Sequence, residues 1–174
     1  MVPVLRSPAL RPAPERLVLP SPNGSAIAAA TSADRVLADC VFADCVLAGC
    51  LRNATAVARW LSGQDFGRPG RPAVIIAAGE RWPAGELRPA LEDLLGAGAI
   101  IAALARHDQL SPEAAAAEAA WRLQRPQIAD AFHRCSSGQE LAAAGHASDV
   151  DIAAQYDAQQ TVPILAAGAF RPAQ

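Results

Sequence analysis

Three short apolar runs along the chain are each followed by a segment that favours a helix. The runs are RLVLP (16–20), CVLAG (45–49) and AVIIAA (73–78), and their apolar content is typical of buried strands. After the second run, apolar residues recur at 54, 57, 58 and 61, which predicts an amphipathic helix. A helix from about Pro89 to Arg106 is predicted to follow the third run. Repeated strand-then-helix units predict a parallel sheet.

The second half of the chain has a mainly helical pattern. Ser111 and Pro112 resemble an N-cap and a first helical residue, and they precede an Ala-rich run. Shorter helices are predicted at 127–134, 137–144 and 148–156, before a last strand at 161–165. We therefore predict an α/β protein, a three-layer α/β/α sandwich with a mostly parallel central sheet and helical excess in the C-terminal half. We predict a Pro-rich N-terminal segment at residues 1–15 and a single domain at residues 16–174.

Composition narrows the range of functions. The 174-residue chain has a formal net charge of -2, and all 15 of its cationic side chains are arginines, so generic nucleic-acid binding and lysine-dependent catalysis are not expected. Arginine can grip carboxylate or phosphate oxygens with two parallel hydrogen bonds. The longest run without a charged or strongly polar residue, 94–105, is too short for a bilayer span, so no membrane partner is expected. A cytoplasmic location with reduced, packed cysteines is expected, since no secretory signal is evident.

Four loops concentrate residues that can bind anions or cations. The first, Pro22–Ser25, offers Asn23, Gly24 and the amides that open the next helix; an Asn-Gly turn with a Ser cap is the purely structural alternative. The second, Leu51–Ala54, offers Arg52 and Asn53. Here a structural arginine, or Asn53 acting only as a helix cap, is an equal alternative.

The third loop is the richest in charge. It contains Glu80 and Arg81, then Arg88, and then Glu92 and Asp93 in the first turn of the next helix. Clustered carboxylates can hold a hard divalent cation, while the arginines can bind phosphate or carboxylate oxygens. Alternatively, this is a solvated loop whose acids complement a helix dipole.

The fourth loop, Cys135–Leu141, presents Ser136, Ser137 and Gly138 at a predicted helix start. Such hydroxyls and amides can form an anion nest, although a plain helix cap is the competing interpretation. No G-x-S-x-G nucleophile elbow is present, and the scattered histidines argue against a zinc site.

Taken in order, these segments resemble the 2-phosphosulfolactate phosphatase family of the ComB type. The resemblance extends from Leu17 to Phe170, and the motifs that carry it are LPSPNGS (19–25), LAGCLRNATAVA (47–58), AAGERWPAGELRPALEDLLGAGAII (77–101), LSPEA (110–114), CSSGQEL (135–141) and DVDIAAQYDAQQTVPIL (149–165). Each motif alone is short, but their order and spacing make the match specific.

The resemblance implies a Mg²⁺-dependent phosphoric monoester hydrolase that converts 2-phosphosulfolactate to sulfolactate and phosphate, a step towards coenzyme M. It assigns catalysis to Glu80, Arg81 and Arg52, and Mg²⁺ binding to Glu80, Glu92 and Asp93. The small anionic phosphorylated substrate would contact Asn23, Gly24, Ser25, Asn53, Arg88, Ser136, Ser137 and Gly138.

Members of this family are expected to carry a further α/β segment before the region that this chain matches, so the resemblance covers about the C-terminal two-thirds of the family fold. Gln139 also stands where an arginine is expected in many relatives. The alternative function is therefore a catalytically incomplete remnant that binds a small phosphorylated or sulfonated acid. A third alternative is a structural subunit that forms a homo-oligomer through its Ala-rich helices.

Overall fold

Seven α-helices form most of the structure, a computed structural model that describes residues 23–31, 45–104 and 110–173. The helices in these ranges are α1 (Gly24–Thr31), α2 (Ala54–Gly63), α3 (Leu91–Leu104), α4 (Pro112–Gln124), α5 (Ile128–Arg134), α6 (Ser136–Ala143) and α7 (Ala147–Ala153). Short 3-10 turns, Leu51–Asn53 and Arg125–Gln127, precede α2 and α5. The predicted helical excess in the C-terminal half is confirmed, because five of the seven helices in the described ranges, α3 to α7, lie there.

Helix α4 begins where its sequence predicts. The Ser111 hydroxyl accepts a hydrogen bond from the Ala114 amide at 3.2 Å, and Pro112 occupies the first turn. Proline fits there because its missing N–H is not needed for an intrahelical bond. Hydrogen bonds from its own backbone and from Ser111 lower the pKa of Glu113, in the same turn. These local signals explain why the start of α4 can be predicted without knowledge of tertiary packing.

The strands that pair among these residues form two small antiparallel sheets. In one, β1 (Glu80–Arg81) pairs with β2 (Leu87–Arg88). In the other, β3 (Pro163–Ala166) pairs with β4 (Ala169–Pro172). Residues 46–48 extend the second sheet, because the Leu165 amide bonds the Val46 carbonyl at 2.9 Å and the Ala48 amide bonds the Pro163 carbonyl at 3.0 Å. The protein is thus a mixed helix-and-strand protein in which helices predominate.

The predicted three-layer arrangement around a parallel sheet is not confirmed. The 73–78 run has no strand partner among the described residues, and Val74 and Ile76 are 67% and 54% exposed. Apolar content favours an extended backbone, but a strand also needs a hydrogen-bonding neighbour. The 45–49 run contributes a single bridge, from Leu47 to Ile164. The predicted last strand is present as β3 but pairs antiparallel, and the predicted strand at 16–20 lies outside the described residues.

The hydrophobic core is centred on α3. Leu95 of α3 and Trp121 of α4 are the largest fully buried side chains, and Val57 and Leu61 of α2 belong to the same cluster. Helices α3 and α4 approach closely at Gly98, where a Cβ atom would lie 2.1 Å from the carbonyl oxygen of Ala117. Packing of α3 between α2 and α4 therefore fixes where the loop before α3 is held.

The N-terminus of α2 is capped from the far end of the chain. Thr55 donates its backbone N–H to Asp157 Oδ1 at 2.8 Å and its hydroxyl to Asp157 Oδ2. The Thr55 hydroxyl also lies 3.2 Å from the Tyr156 hydroxyl. Asp157 adopts a φ of +53°, in the left-handed region, where Asp is tolerated better than most residues. This long-range cap joins α2 to the loop that follows α7.

Replacement Asp157→Ala is expected to lower the free energy of unfolding by about 2 kcal/mol, because the cap is lost and alanine is strained at a positive φ. Urea denaturation of the purified protein measures the change. Asp157→Asn keeps an acceptor and tolerates this backbone, so it should recover about half of the loss. A change for Asp157→Ala of less than about 0.5 kcal/mol, the size expected for an ordinary surface substitution, would contradict the cap.

Candidate functional site

Gly79 joins two of the sequence-predicted loops to the start of α3. The Asn23 amide donates to the Gly79 carbonyl at 2.7 Å, and the Gly79 N–H donates to Asp93 Oδ2 at 2.7 Å. Gly79 has a φ of +69°, and a Cβ atom there would lie 2.9 Å from the Arg88 carbonyl oxygen. Glycine is required at such a position because residues with a Cβ atom disfavour a positive φ and would clash with the Arg88 carbonyl. The structure thus brings Asn23 and Asp93, predicted on separate loops, to one glycine.

The β1–β2 hairpin presents the charged residues of the third loop. Glu80 pairs with Arg88 across the hairpin, and Arg81 pairs with Leu87. The Arg81 guanidinium donates to the Gly85 carbonyl at 2.6 Å, within the hairpin itself, and its side chain is otherwise exposed. Arg88 and Glu80 therefore flank the acidic start of α3, whereas the hydrogen bond shown by Arg81 stabilises the turn.

A cleft of about 260 Å³ lies between the hairpin, α3 and the α5–α6 junction. It combines two arginines, two serine hydroxyls, a thiol and a carboxylate, and its lining comprises Arg88, Pro89, Ala90, Leu91, Glu92, Arg134, Cys135, Ser136 and Ser137. Such a mixture of guanidinium groups and hydroxyls suits a small anion. Arg88, Ser136 and Ser137 were predicted to contact substrate, and the structure brings them to this one cleft.

The start of α6 depends on Cys135 and Gly138. The Cys135 sulfur caps the helix by accepting the Gly138 N–H at 3.4 Å, and its own S–H lies 3.1 Å from the Phe132 carbonyl. A Cβ atom at Gly138 would lie 1.8 Å from that carbonyl oxygen. Burial raises the pKa of the Cys135 thiol, as expected for a packed thiol that caps a helix. Gly138 allows α5 and α6 to meet closely.

Arg88 forms a two-pronged ion pair with Glu140 at the edge of the cleft. Its Nη1 and Nη2 atoms lie 2.6 and 3.0 Å from Glu140 Oε1 and Oε2. The hydrogen bond to Glu140 raises the pKa of Arg88, and the same bond lowers the pKa of Glu140. The Arg88 guanidinium also lies over the Trp82 ring, 5.4 Å from its centroid. Arg88 is thus oriented for two-pronged anion recognition.

Burial and the acidic residues near Gly79 raise the pKa of Asp93. Burial raises the pKa of Asp93 to about 6; the charges of Glu92 and Glu80 add to this effect, and the hydrogen bond from Gly79 opposes it. The two glutamates raise the pKa of Asp93 because a second negative charge nearby is unfavourable. A cation placed among them would relieve this repulsion.

The fit of a divalent cation rests on one further observation. The side-chain oxygen of Asn23 is buried and has no hydrogen-bond partner, and amide and carboxylate oxygens are the donors that Mg²⁺ prefers. In the described part of the chain, no three His, Cys, Asp or Glu side chains are grouped so as to hold a metal. Mg²⁺ is commonly held by one or two carboxylates together with substrate phosphate, so Asp93, Glu92 and the Asn23 oxygen fit it as a partial ligand set.

Asp93 is expected to make stability depend on pH. Its pKa of about 6 in the folded protein exceeds the ordinary value of about 3.9, so the folded state binds the proton more tightly. The free energy of unfolding should therefore fall as pH rises from about 4 to above 6. Because the side chain is only partly buried, we expect Asp93 to contribute about 1 kcal/mol of this fall.

Urea denaturation in EDTA at both ends of this pH range tests the expectation. Asp93→Asn should remove that part of the pH dependence while retaining an acceptor for the Gly79 N–H. The matched control Asp130→Asn removes an exposed carboxylate of α5 and should leave the dependence as in the unsubstituted protein. Equal pH dependence in Asp93→Asn and the unsubstituted protein would refute the assignment.

Arg52 and Asn53 make their hydrogen bonds at another place in the fold. Arg52 Nη1 donates to the Ile152 carbonyl at 2.7 Å and to the Gln155 side chain at 2.8 Å. Asn53 is buried, accepts the Cys50 N–H at 2.8 Å and donates to the Thr161 carbonyl at 3.0 Å. These contacts match the structural alternatives for the second loop. The residues that line the cleft do not include Arg52, and its catalytic role stays a prediction.

The first loop is described in part. Gly24 is exposed and opens α1, whereas the side chain of Ser25, the second residue of α1, lies outside the described part. Two site residues, Arg134 and Glu140, were missed by sequence reasoning. Arg134 ends α5 directly before the fourth loop, and Glu140 lies within that loop's motif. Their charge beside a Ser-Ser-Gly segment was the available signal.

The fold and the cleft define a class: a mixed helix-and-strand protein with arginines and helix-start hydroxyls beside an acidic loop. Within this class, residues 14–168 match the family 2-phosphosulpholactate phosphatase. The chain belongs to this family, as its sequence motifs suggested, and membership indicates a phosphatase with a small phosphorylated substrate. A search of curated proteins gave no match. Within the ranges that the structure covers, no helix is long and apolar enough to cross a membrane.

Proposed function

We propose that this protein hydrolyses the phosphate ester of 2-phosphosulfolactate, giving sulfolactate and inorganic phosphate. One observation carries the proposal: the cleft places Arg88, Arg134 and the hydroxyls of Ser136 and Ser137 around a volume suited to a small anion. The family supplies the substrate, which bears phosphate, carboxylate and sulfonate groups. An arginine-rich cleft fits such a charge pattern, because guanidinium groups stay protonated and bind oxyanions with two hydrogen bonds.

In this proposal, the cleft residues bind and orient the phosphate. Arg88 would grip two phosphoryl oxygens, and Ser136 and Ser137 would donate hydrogen bonds to the remaining oxygen. Arg134 would neutralise a second anionic group of the substrate. Water would form the new bond to phosphorus, the bond from phosphorus to the ester oxygen would break, and a proton would pass to that oxygen. Fixed donors accelerate such a step by stabilising charge as it develops.

Mg²⁺ dependence is part of the same proposal. Asp93, Glu92 and the Asn23 oxygen would hold the ion, with Glu80 nearby, and the ion would neutralise phosphate charge when bound. Gly79 positions Asn23 and Asp93 through its carbonyl and amide. Because Asp93 has a pKa of about 6, it would be ionised for this role above that pH.

The direct test is phosphate release from synthetic 2-phosphosulfolactate by the purified chain, with Mg²⁺ or with EDTA. We expect turnover with Mg²⁺ and its loss in EDTA. Equal turnover with Mg²⁺ and with EDTA would show that the reaction does not need the metal. Saturable binding of the substrate without any release would instead support the alternative function, a binding protein for a small phosphorylated or sulfonated acid. If the chain neither binds nor hydrolyses the substrate, both functions are contradicted.

A further inference from the structure

The anion-binding face of Arg88 already holds a carboxylate. Glu140 occupies both prongs of the guanidinium, at 2.6 and 3.0 Å. This is the geometry with which arginine binds a carboxylate or two phosphate oxygens. An anion that enters the cleft and uses the same two nitrogens must therefore displace Glu140.

The two partners of this ion pair differ in exposure. The Arg88 side chain is 11% exposed and lies over Trp82, whereas the Glu140 side chain is 58% exposed on α6. Arg88 is therefore held in place, while Glu140 can turn into solvent and regain its hydration. An ion pair with one exposed partner contributes little net free energy, so a phosphate dianion can replace it.

We propose that Glu140 competes with the substrate's anionic group for Arg88. Its carboxylate occupies both Nη atoms of Arg88 until a phosphorylated acid displaces it. This inference rests on the proposed function of the cleft. It assigns to Glu140 the role of setting how tightly the cleft binds anions. The carboxylate protects Arg88 from weak anions, and the substrate loses part of its binding energy in displacing it.

Calorimetric titration of inorganic phosphate into the full chain tests the proposal at constant ionic strength. Glu140→Gln should tighten phosphate binding about fivefold, the factor that corresponds to about 1 kcal/mol. In an Arg88→Gln background the same change should alter binding by less than twofold. The matched control Glu113→Gln removes an exposed acid from the first turn of α4 and should also leave binding within twofold.

The outcomes separate this inference from the proposed function. If Arg88→Gln abolishes binding but Glu140→Gln leaves it unchanged or weaker, the competitor role is wrong and the cleft assignment stands. If Arg88→Gln binds phosphate as well as the unsubstituted protein, both are wrong. Circular dichroism checks each fold. If Glu140→Gln does not fold, Glu140→Asp replaces it in the test. The shorter Asp side chain reaches Arg88 poorly, so this variant should bind phosphate more tightly than the unsubstituted protein, by less than fivefold. Unchanged phosphate affinity in Glu140→Asp would overturn the proposal.

Discussion

Arg88→Gln is expected to lower kcat/KM for the phosphorylated substrate by about 100-fold to 1,000-fold. Loss of one preorganised donor to a developing oxyanion costs roughly this much in other hydrolytic sites. Glutamine cannot supply two parallel charged hydrogen bonds to the phosphate. Arg88→Lys should recover less than a tenth of the loss, because a lysine ammonium is a point charge without the planar two-pronged geometry.

Phosphate release at several substrate concentrations separates the effects on kcat and KM. The matched control is Arg68→Gln, which removes an exposed arginine whose side chain pairs with Asp65 in the loop after α2. That variant should retain full activity. If Arg88→Gln keeps kcat/KM within threefold of the unsubstituted enzyme, Arg88 does not bind the reacting group.

Gly98→Ala is expected to cost about 3 kcal/mol of stability, because helices α3 and α4 meet at this residue. The added Cβ would lie 2.1 Å from the Ala117 carbonyl oxygen and 2.8 Å from the Trp121 Cβ. Backbone atoms of a neighbouring helix cannot rotate away, so the two helices must separate. Since single domains are stable by about 5–15 kcal/mol, the loss is a large part of the total.

Thermal and urea denaturation measure this loss. Gly63→Ala makes the same change at the end of α2, where no atom lies within 4 Å of the added Cβ, and it should be neutral or slightly stabilising. A Gly98→Ala protein as stable as Gly63→Ala would show that α3 and α4 do not pack as described. Because α3 carries Glu92 and Asp93, Gly98→Ala should also reduce activity.

The helices of the second half could be predicted because their signals are local. Ser111 and Pro112, which are adjacent in the sequence, define the start of α4. The predicted helix at 127–134 begins one residue before α5 and ends at the same residue. Caps, Pro positions and apolar spacing act within one or two turns. Such features need no knowledge of distant contacts.

The sheet could not be predicted in the same way, because pairing is a long-range property. The 73–78 run has the composition of a buried strand, yet Val74 and Ile76 are exposed and no partner is present in the described residues. The last strand was predicted at 161–165 and overlaps β3, but its antiparallel partner β4 follows within three residues through a turn at Ala167 and Gly168. Composition predicts strands better than it predicts their neighbours or direction.

The candidate site was predictable in part. Arg88, Ser136 and Ser137 come from two loops that the sequence singled out, and they share one cleft. Arg52 looked equally suitable, but its hydrogen bonds tie it to the chain after α7. A sequence shows which residues can bind an anion, whereas the tertiary contacts decide which of them are already engaged in structural hydrogen bonds. Glu140 was missed for the same reason, since its partner lies 52 positions away.

The account depends on the Arg88 cleft being the place where the phosphorylated group binds. A crystal structure of the protein with tungstate, a heavy-atom analogue of phosphate, would locate that place directly. We expect tungstate within hydrogen-bonding distance of Arg88 and of Ser136 or Ser137, with Glu140 turned away from the guanidinium. Tungstate bound at Arg52, with the cleft empty and Glu140 still paired to Arg88, would contradict the account.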